Sequence, residues 1–298
     1  MIRLGLCCIF RDQPIKFRRA TARHLATFSR QEQLRRLAEL CLLNAKNLLL
    51  ALKFCRDHGI GDFRINSQIL PLKTHPEIGY DIKDLPGGSQ IVKDFKFCGL
   101  FCRQHNIRTT FHPDQFVILS SPDPDVVSRS IAELEYQAQV SQWVNADVIT
   151  VHGGGVYGDK KIALARLKKG IEALSNRVKK RLALENDDRN YTPEDLLPVC
   201  RDTNIALVYD VHHHRCLEDG LGLKKATTLA IQTWDREPLF HISSPLSGWH
   251  GPDIRKHHDY IDVADFPKHW LKRKITVEVE GKAKELAVLK LMKDLEKR

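Results

Sequence analysis

Acidic and histidine side chains stand at the ends of several apolar stretches of this 298-residue chain. In LVYDVHHHRC, residues 207–216, an apolar run stops at Asp210 and three histidines follow at once. Other apolar runs end in the same way, at His112, His152, Glu185, His241, Glu278 and Glu280. Neutral imidazoles and carboxylates are the ligands of Zn²⁺, Mn²⁺ and Fe²⁺. The pattern therefore predicts a divalent metal centre, if the fold brings these side chains together.

More than one metal ion fits the number of these side chains. One ion takes about four to six ligands, and further candidates follow two of the runs: His75, His257 and His258. About two or three ions, bridged by Glu185 or Asp210, suit phosphodiester hydrolysis, because one ion activates water and another stabilises the leaving oxygen. A sugar isomerase with a two-metal site is the alternative.

Eight short apolar runs supply the elements that must position these residues. The runs are residues 2–7, 62–66, 107–112, 147–152, 181–186, 205–210, 238–243 and 274–280. Helical patterns follow them at 30–56, 89–104, 124–143, 159–178, 193–201, 223–233, 263–271 and 283–297. Alternating strands and helices predict parallel βαβ units. Eight units predict an α/β protein with one (β/α)₈ TIM barrel over residues 1–298, and an open doubly wound sheet is the alternative. In a barrel the strand ends share the face where active sites lie.

Charge and cysteine usage narrow the class of protein. Lys and Arg number 47 against 37 Asp and Glu, a net charge of +10. This excess favours a polyanionic partner, nucleic acid before membrane. The eight cysteines form no CxxC pair and are not among the candidate ligand positions, which disfavours a cysteine-rich zinc site. They indicate reduced thiols in a cytoplasmic protein. No stretch approaches the length of a membrane span.

Three loops could face a ligand at the same end of the barrel. Arg18 and Arg19 follow the first strand and Lys160 follows the fourth, so they could grip a nucleic-acid backbone. The glycines of HGGGVYG, residues 152–158, either allow close backbone approach to metal ligands or a phosphate, or form a flexible loop. In HPDQF, Phe116 beside Gln115 could wedge into a base stack, but the pattern alone favours packing of Phe116 in the core with residues 117–119.

Several long motifs, in order and over nearly the whole chain, resemble those of the UV damage endonucleases. The motifs are FRINSQILPLKTHP (63–76), FHPDQFVILSSP (111–122), VHGGG (151–155), LALENDD (182–188), VYDVHHH (208–214), HISSP (241–245), HHDYID (257–262) and EVEGKAKE (278–285). The resemblance implies a barrel related to endonuclease IV and a cluster of about two to three Mn²⁺ ions, with Mg²⁺, Co²⁺ or Zn²⁺ as alternatives. It also implies an enzyme that cuts damaged double-stranded DNA immediately 5′ to a UV photoproduct, leaving a 3′-hydroxyl and a 5′-phosphate. We expect the protein to be a monomer. An endonuclease IV-like enzyme acting at abasic sites is the alternative.

The resemblance also assigns residues, position by position. The implied metal ligands are His75, His112, His152, Glu185, Asp210, His213, His241, His257 and Glu280, of which Glu185, Asp210, His241 and Glu280 are the expected catalytic residues. His257 is preferred to His258 because the family motif reads His-x-Asp-Tyr, and Glu280 to Glu278 because it reads Glu-x-Lys-x-Lys. His212 and His214 are expected to be neighbours of the ligands or surface residues. Gln115 and Phe116 match a Gln-Tyr pair that probes opposite the lesion, which reverses the core-packing expectation.

Three positions depart from the family pattern. Leu6 and Phe10 stand where the family usually has a Tyr and an Asn that contact the damaged strand, which affects lesion preference. Leu239 stands where the family has a Lys two residues before the histidine of the seventh strand. Leucine cannot carry a charge, so one metal position is weaker, empty or differently completed. A damage-binding protein with an incomplete metal centre is therefore a third interpretation.

Overall fold

A closed barrel of eight parallel strands forms the centre of the protein. The computed structural model describes residues 2–297, and within them the strands pair in sequence order, with the first also paired to the last. The strands are β1 Arg3–Cys7, β2 Asp62–Ile65, β3 Arg108–Phe111, β4 Val148–His152, β5 Leu182–Glu185, β6 Ala206–Asp210, β7 Leu239–Ile242 and β8 Thr276–Val279. Each lies within one predicted apolar run. The β1–β8 pairing confirms the (β/α)₈ barrel and excludes the open sheet.

Helices cover the outside of the barrel between the strands. They are α1 Ala22–Leu25, α2 Arg30–Asp57, α3 Gly88–Gln104, α4 Pro124–Val144, α5 Lys160–Glu172, α6 Asn176–Lys179, α7 Pro193–Thr203, α8 Val211–Cys216, α9 Leu223–Ile231 and α10 Glu285–Glu296. Local signals set their ends: α4, for example, begins with the side chain of Asp123 capping the helix and a proline in its first turn, and ends at Asn145 in the left-handed conformation. The single domain over residues 1–298 stays a prediction.

The predicted helix over 263–271 is wrong. Two 3₁₀ turns, Val263–Asp265 and Lys268–Trp270, occupy this stretch instead. Pro267 separates them, because a proline lacks the amide hydrogen that a helix needs and forces the preceding residue out of the helical region. Phe266 is accordingly extended, with φ −73° and ψ 118°. The helix predicted over 159–178 is likewise divided into α5 and α6, and the hydroxyl of Ser175 caps the second of them.

The barrel has an apolar exterior and an interior that changes character along its axis. Side chains of a strand alternate between these two surfaces. Outward-facing residues pack against the helices, as where α2 buries Leu37, Cys41, Leu48 and Leu52. At the end of the barrel away from the strand tips, the interior holds a small apolar group consisting of Val148, Ala183, Ala206, Val208 and Leu239. Nearer the strand tips, the interior side chains are polar.

Two further sequence expectations concern thiols and membranes. All eight cysteines are unpaired in the structure. None of the helices within residues 2–297 has the length and apolar character that a membrane crossing would need.

Candidate metal centre

Seven of the nine predicted ligands meet at the mouth of the barrel. Their ligand atoms form three groups, and within each group these atoms lie within 4.8 Å of one another. The groups are His112, His152 and Glu185; Glu185, Asp210 and His213; and Asp210, His241 and Glu280. Glu185 and Asp210 each belong to two groups, which is the arrangement expected of acids that bridge neighbouring ions.

Glu185 lies at the centre of the histidines. One carboxylate oxygen, Oε2, is 2.8 Å from His112 Nε2 and 3.7 Å from His152 Nε2. The other oxygen, Oε1, is 2.9 Å from His241 Nδ1 and 3.5 Å from His213 Nδ1. Burial alone would raise the pKa of Glu185, but the surrounding histidines, His241 first among them, hold it well below its usual value. The carboxylate therefore stays ionised and available to a cation.

The backbone at the end of β6 explains how an acid and a histidine come to share this site. Asp210 is the last residue of β6 and also the cap of the short helix α8, where its Oδ1 accepts a hydrogen bond of 2.8 Å from the backbone amide of His213. Residues three apart on a helix lie on the same side, so His213 turns towards the barrel mouth. Asn186 fixes Asp210 in turn, because its amide side chain donates to the Asp210 carbonyl at 2.9 Å and accepts from the Asp210 amide at 3.0 Å.

Two of the four converging histidines have a ring orientation fixed by a backbone carbonyl. His112 Nδ1 donates to the carbonyl of Pro113 at 3.1 Å, and His213 Nδ1 donates to the carbonyl of Asn186 at 2.9 Å. When one ring nitrogen is held as a donor in this way, the other carries the lone pair that a metal needs. Burial by itself would lower the pKa of His213, but Asp210 and then Glu185 raise it to about 9, so a cation must displace a proton to bind this ring.

The other two histidines of the opening motif are not surface residues. His214 is buried between the hydroxyl of Tyr209, 2.7 Å from its Nδ1, and a carboxylate oxygen of Asp219, 2.9 Å from its Nε2. His212 is buried too, and its ring centroid lies 5.2 Å from that of Trp249. Of the two expected positions, beside the ligands or on the surface, the surface position is therefore wrong for both residues.

His257 and His75, the remaining predicted ligands, are placed differently from each other. His257 lies at the edge of the cluster, where its Nδ1 is 3.2 Å from the carbonyl of Glu280 and 3.8 Å from a carboxylate oxygen of the same residue. His75, in the loop after β2, belongs to none of the three groups within the described chain. Its Nδ1 accepts from the backbone amides of Glu77 and Ile78, both at 3.2 Å. A neutral ring with Nδ1 as acceptor carries its proton on Nε2, so neither nitrogen of His75 is free to ligate in this conformation.

A buried arginine inside the barrel was not predicted from the sequence. Arg64, on β2, forms ion pairs with both Glu278 and Glu280, the latter at 2.7 Å. In the sequence, Arg64 is one of two charged residues in the short run DFRIN, a pattern that equally fits an exposed position. Asn186 was also missed, although a buried amide side chain directly after a strand that ends in an acid is a usable signal.

The residues expected to bind DNA differ in their exposure and in the side chains that they contact. Phe116 has 77% of its surface exposed and Gln115 is exposed beside it, so packing of Phe116 in the core is wrong. Arg19 lines a cavity of about 460 Å³ with His112, His257 and Glu280 among its walls. Arg18 is exposed. The amine of Lys160 forms an ion pair with Asp195 at 2.8 Å, and a phosphate would have to compete with that carboxylate.

The glycines after His152 pack closely and do not form an open loop. A side chain at Gly153 would come within 2.6 Å of the ring of Tyr191. Gly154 has a φ of +86°, in the left-handed region that favours glycine. The carbonyls of Gly154 and Gly155 accept hydrogen bonds from Asn190 and Tyr191 at 3.1 and 3.0 Å. The flexible loop is thus wrong, and close approach of this backbone to metal ligands or a phosphate stays a prediction.

Comparison with known proteins identifies the family of this barrel. Residues 2–298 match the family described as UV-endonuclease UvdE. The chain belongs to the UvdE family. It is 33% identical over 301 residues to the UV DNA damage endonuclease of Bacillus velezensis, with 97% of this chain and 91% of the relative covered. The crystal structure of SacUVDE superposes with a TM-score of 0.88 at 27% identity, over 100% of this chain and 99% of that one. Endonuclease IV from Thermus thermophilus has the same fold, with a TM-score of 0.62 at 14% identity and coverage of 99% and 100%.

The three departures from the UvdE pattern are all apolar in the structure. Leu6 is completely buried. The ring of Phe10 packs against those of Phe54 and Phe63, at centroid distances of 5.2 and 6.1 Å. Leu239 belongs to the apolar group inside the barrel, two residues before His241 on the same strand. None of these side chains offers a polar atom to DNA or a ligand atom to a metal.

Proposed function

We propose that this chain is a metal-dependent DNA repair endonuclease. It would hydrolyse the phosphodiester bond immediately 5′ to UV photoproducts in double-stranded DNA, leaving a 3′-hydroxyl and a 5′-phosphate. Membership of the UvdE family supports a DNA repair endonuclease. The observation that carries the metal-dependent mechanism is the convergence of seven histidine and acidic side chains at the barrel mouth, with Glu185 and Asp210 shared between groups.

The side chains of this site fit divalent cations. Asp210 Oδ2 and His152 Nδ1 are buried and have no hydrogen-bond partner among residues 2–297, although a buried polar atom without a partner is costly. The donors are imidazoles and carboxylates with no thiolate, which suits Mn²⁺, with Mg²⁺, Co²⁺ or Zn²⁺ as alternatives. The three groups would hold the ions, and Glu185 and Asp210 would bridge them. Bound ions would supply an activated water and stabilise the departing 3′-oxygen.

The protein itself would bind and orient the DNA rather than attack it. Cys8 lines the same cavity as Arg19 and His112. Burial raises the pKa of the Cys8 thiol to about 11, and a protonated thiol is a poor nucleophile. Water is therefore the better nucleophile at this site. Arg19 would contact the DNA backbone, while Gln115 and Phe116 would probe the base stack from the loop after β3.

Nicking of supercoiled plasmid tests this function. With Mn²⁺, the purified protein should nick UV-irradiated plasmid faster than unirradiated plasmid, and excess chelator should stop the reaction. On an end-labelled duplex with one photoproduct, the cut should map to its 5′ side. Equal rates on irradiated and unirradiated plasmid would contradict the proposal, and faster cutting of an abasic duplex would favour the endonuclease IV-like alternative.

Replacement of two neighbouring histidines should separate metal binding from folding. His213→Ala removes a ligand, so we expect Mn²⁺ affinity to fall by more than about tenfold. His214→Ala removes the partner of Tyr209 and Asp219 and should keep the Mn²⁺ affinity, but lower the free energy of unfolding by about 1–3 kcal/mol. Titration of free Mn²⁺ by electron paramagnetic resonance and urea unfolding in chelator measure the two effects. Equal losses of Mn²⁺ affinity would show that the assignment of His213 is wrong.

A further inference from the structure

Glu278 is a buried acid inside the barrel, beneath the three ligand groups and outside all of them. It lies on β8 directly opposite His241 on β7, and its side chain is 1% exposed. Its Oε1 accepts a hydrogen bond from the hydroxyl of Thr110, and its Oε2 accepts one from the guanidinium of Arg64. Both carboxylate oxygens are thus held in place by side chains of other strands.

His241 lies between this acid and the metal cluster, with its two ring nitrogens facing opposite partners. Nδ1 faces the cluster, 2.9 Å from Glu185 Oε1 and 3.6 Å from Glu280 Oε1. Nε2 faces away from it, 2.9 Å from Glu278 Oε2. Only Nδ1 can therefore reach an ion held by the cluster.

The role of Glu278 depends on which ring nitrogen of His241 binds the ion. A ring that ligates through Nδ1 carries its proton on Nε2. In the structure, Arg64 donates a hydrogen bond of 2.9 Å to Nε2, and Nδ1 is hydrogen-bonded to Glu185, so ligation through Nδ1 requires the ring proton to move to Nε2. An arginine only donates hydrogen bonds, so it cannot accept this proton. Glu278 is the acceptor within reach. In His112 and His213, the ring nitrogen that would not ligate donates to a backbone carbonyl. For His241, deep in the barrel, the acceptor near that nitrogen is a carboxylate.

We propose that Glu278 is a positioning residue for the metal centre: it holds the Nε2 proton of His241, and so keeps Nδ1 unprotonated and aimed at the ion. Arg64 and Thr110 fix the carboxylate that does this. A carboxylate behind a ligating histidine fixes the tautomer and strengthens the ligand, and loss of such a partner typically weakens metal binding about 10- to 100-fold. The inference rests on the proposed metal dependence, but not on the identity of the DNA substrate.

Asp62 provides a matched control inside the same barrel. It is completely buried on β2, and a side chain at Gly5 would meet both Asp62 and Glu278, so the two acids lie on either side of the same glycine. Neither carboxylate oxygen of Asp62 has a hydrogen-bond partner within the part of the chain that the structure describes. If the loss of any buried carboxyl group inside the barrel were enough to weaken Mn²⁺ binding, Asp62→Asn should weaken it as much as Glu278→Gln does.

Mn²⁺ titration of the full chain, followed by the resonance signal of the free ion, tests the inference. Glu278→Gln should weaken Mn²⁺ binding about 10- to 100-fold, Glu278→Leu at least as much, and Asp62→Asn less than about twofold. In Zn²⁺-loaded protein with ¹⁵N-labelled histidine, the Nε2 proton of His241, identified from a His241→Gln spectrum, should be protected from exchange and lose that protection in Glu278→Gln. A purely structural role would leave this proton unchanged.

Several outcomes would overturn the inference. They are an unchanged Mn²⁺ affinity in Glu278→Gln, an equal loss in Asp62→Asn, or no binding of Mn²⁺ by the unaltered protein. Urea unfolding in chelator shows whether each variant folds. If Glu278→Leu does not fold, the Mn²⁺ affinity of Glu278→Gln decides the test. Failure of the proposed function looks different: the protein would bind Mn²⁺ with the expected dependence on Glu278, yet fail to prefer UV-irradiated plasmid.

Discussion

A Glu185→Gln variant is expected to lose at least about 10³-fold of the Mn²⁺-dependent nicking of UV-irradiated plasmid, which corresponds to about 4 kcal/mol of transition-state stabilisation. The carboxylate is the centre of the site: it belongs to two of the three ligand groups and has four histidines within 3.7 Å. Glutamine keeps the shape of the side chain but removes the charge and one of the two anionic oxygens. Two neighbouring ions would then lack the ligand that bridges them.

Glu237→Gln is the matched control for this experiment. Glu237 is also ion-paired, and it is partly buried, but it pairs with Arg3 at the first residue of β1, at the end of the barrel away from the cluster. We expect its nicking rate per folded molecule to stay within about twofold of the unaltered protein, because it touches no predicted ligand. If Glu185→Gln kept more than a tenth of the activity, the mechanism would have to be built around a different acid.

The barrel could be predicted because each strand is a short apolar run that ends at a change of chemistry. The runs around β5 and β6 stop at Glu185 and Asp210, and both residues are the last of their strands. The helix predictions failed at two places where a single residue changes the backbone in a way that the apolar pattern does not show. Pro267 replaces a helix with two turns, and the short helix α8 was not predicted because Asp210 serves as both strand end and helix cap.

The site was predictable as far as it depends on topology alone. Parallel strands in a barrel bring their ends together, so His112, His152 and Asp210 could be grouped from the sequence. The partners that orient those ligands could not, because they depend on which strands are neighbours and on register. Arg64 meets Glu280 only because β2 and β8 flank β1 across the closed barrel. For His75, the motif match gave no information on the backbone amides that engage its ring, and its role as a ligand stays a prediction.

Phe116 illustrates a limit of hydrophobic patterning. It begins the apolar run of residues 116–119, and burial increases along that run from exposed Phe116 to buried Leu119. A run of apolar residues predicts burial on average, but the first of them here lies on the tip of the loop after β3. Its position became predictable only through the resemblance of the preceding motif to a pair that probes DNA.

Phe116→Ala is expected to reduce cleavage of a duplex with a single photoproduct by roughly 5- to 150-fold. Stacking of a base on an aromatic side chain contributes about 1–3 kcal/mol, and alanine removes it entirely. The side chain is 77% exposed, so its removal should leave the stability of the protein almost unchanged. Binding to an undamaged duplex should change little, because it depends chiefly on contacts between basic side chains and phosphates. Single-turnover cleavage and binding titrations on the two duplexes measure these effects.

Two variants separate stacking from other roles of this residue. Phe97 is the control for loss of an exposed aromatic ring: it is 52% exposed on α3, on the outside of the barrel, and Phe97→Ala should cleave like the unaltered protein. Phe116→Tyr keeps the aromatic face and should retain most of the cleavage rate, whereas Phe116→Leu keeps apolar bulk without that face. If leucine preserved the rate as well as tyrosine did, Phe116 would act as an apolar wedge between bases, and a stacking role would be wrong.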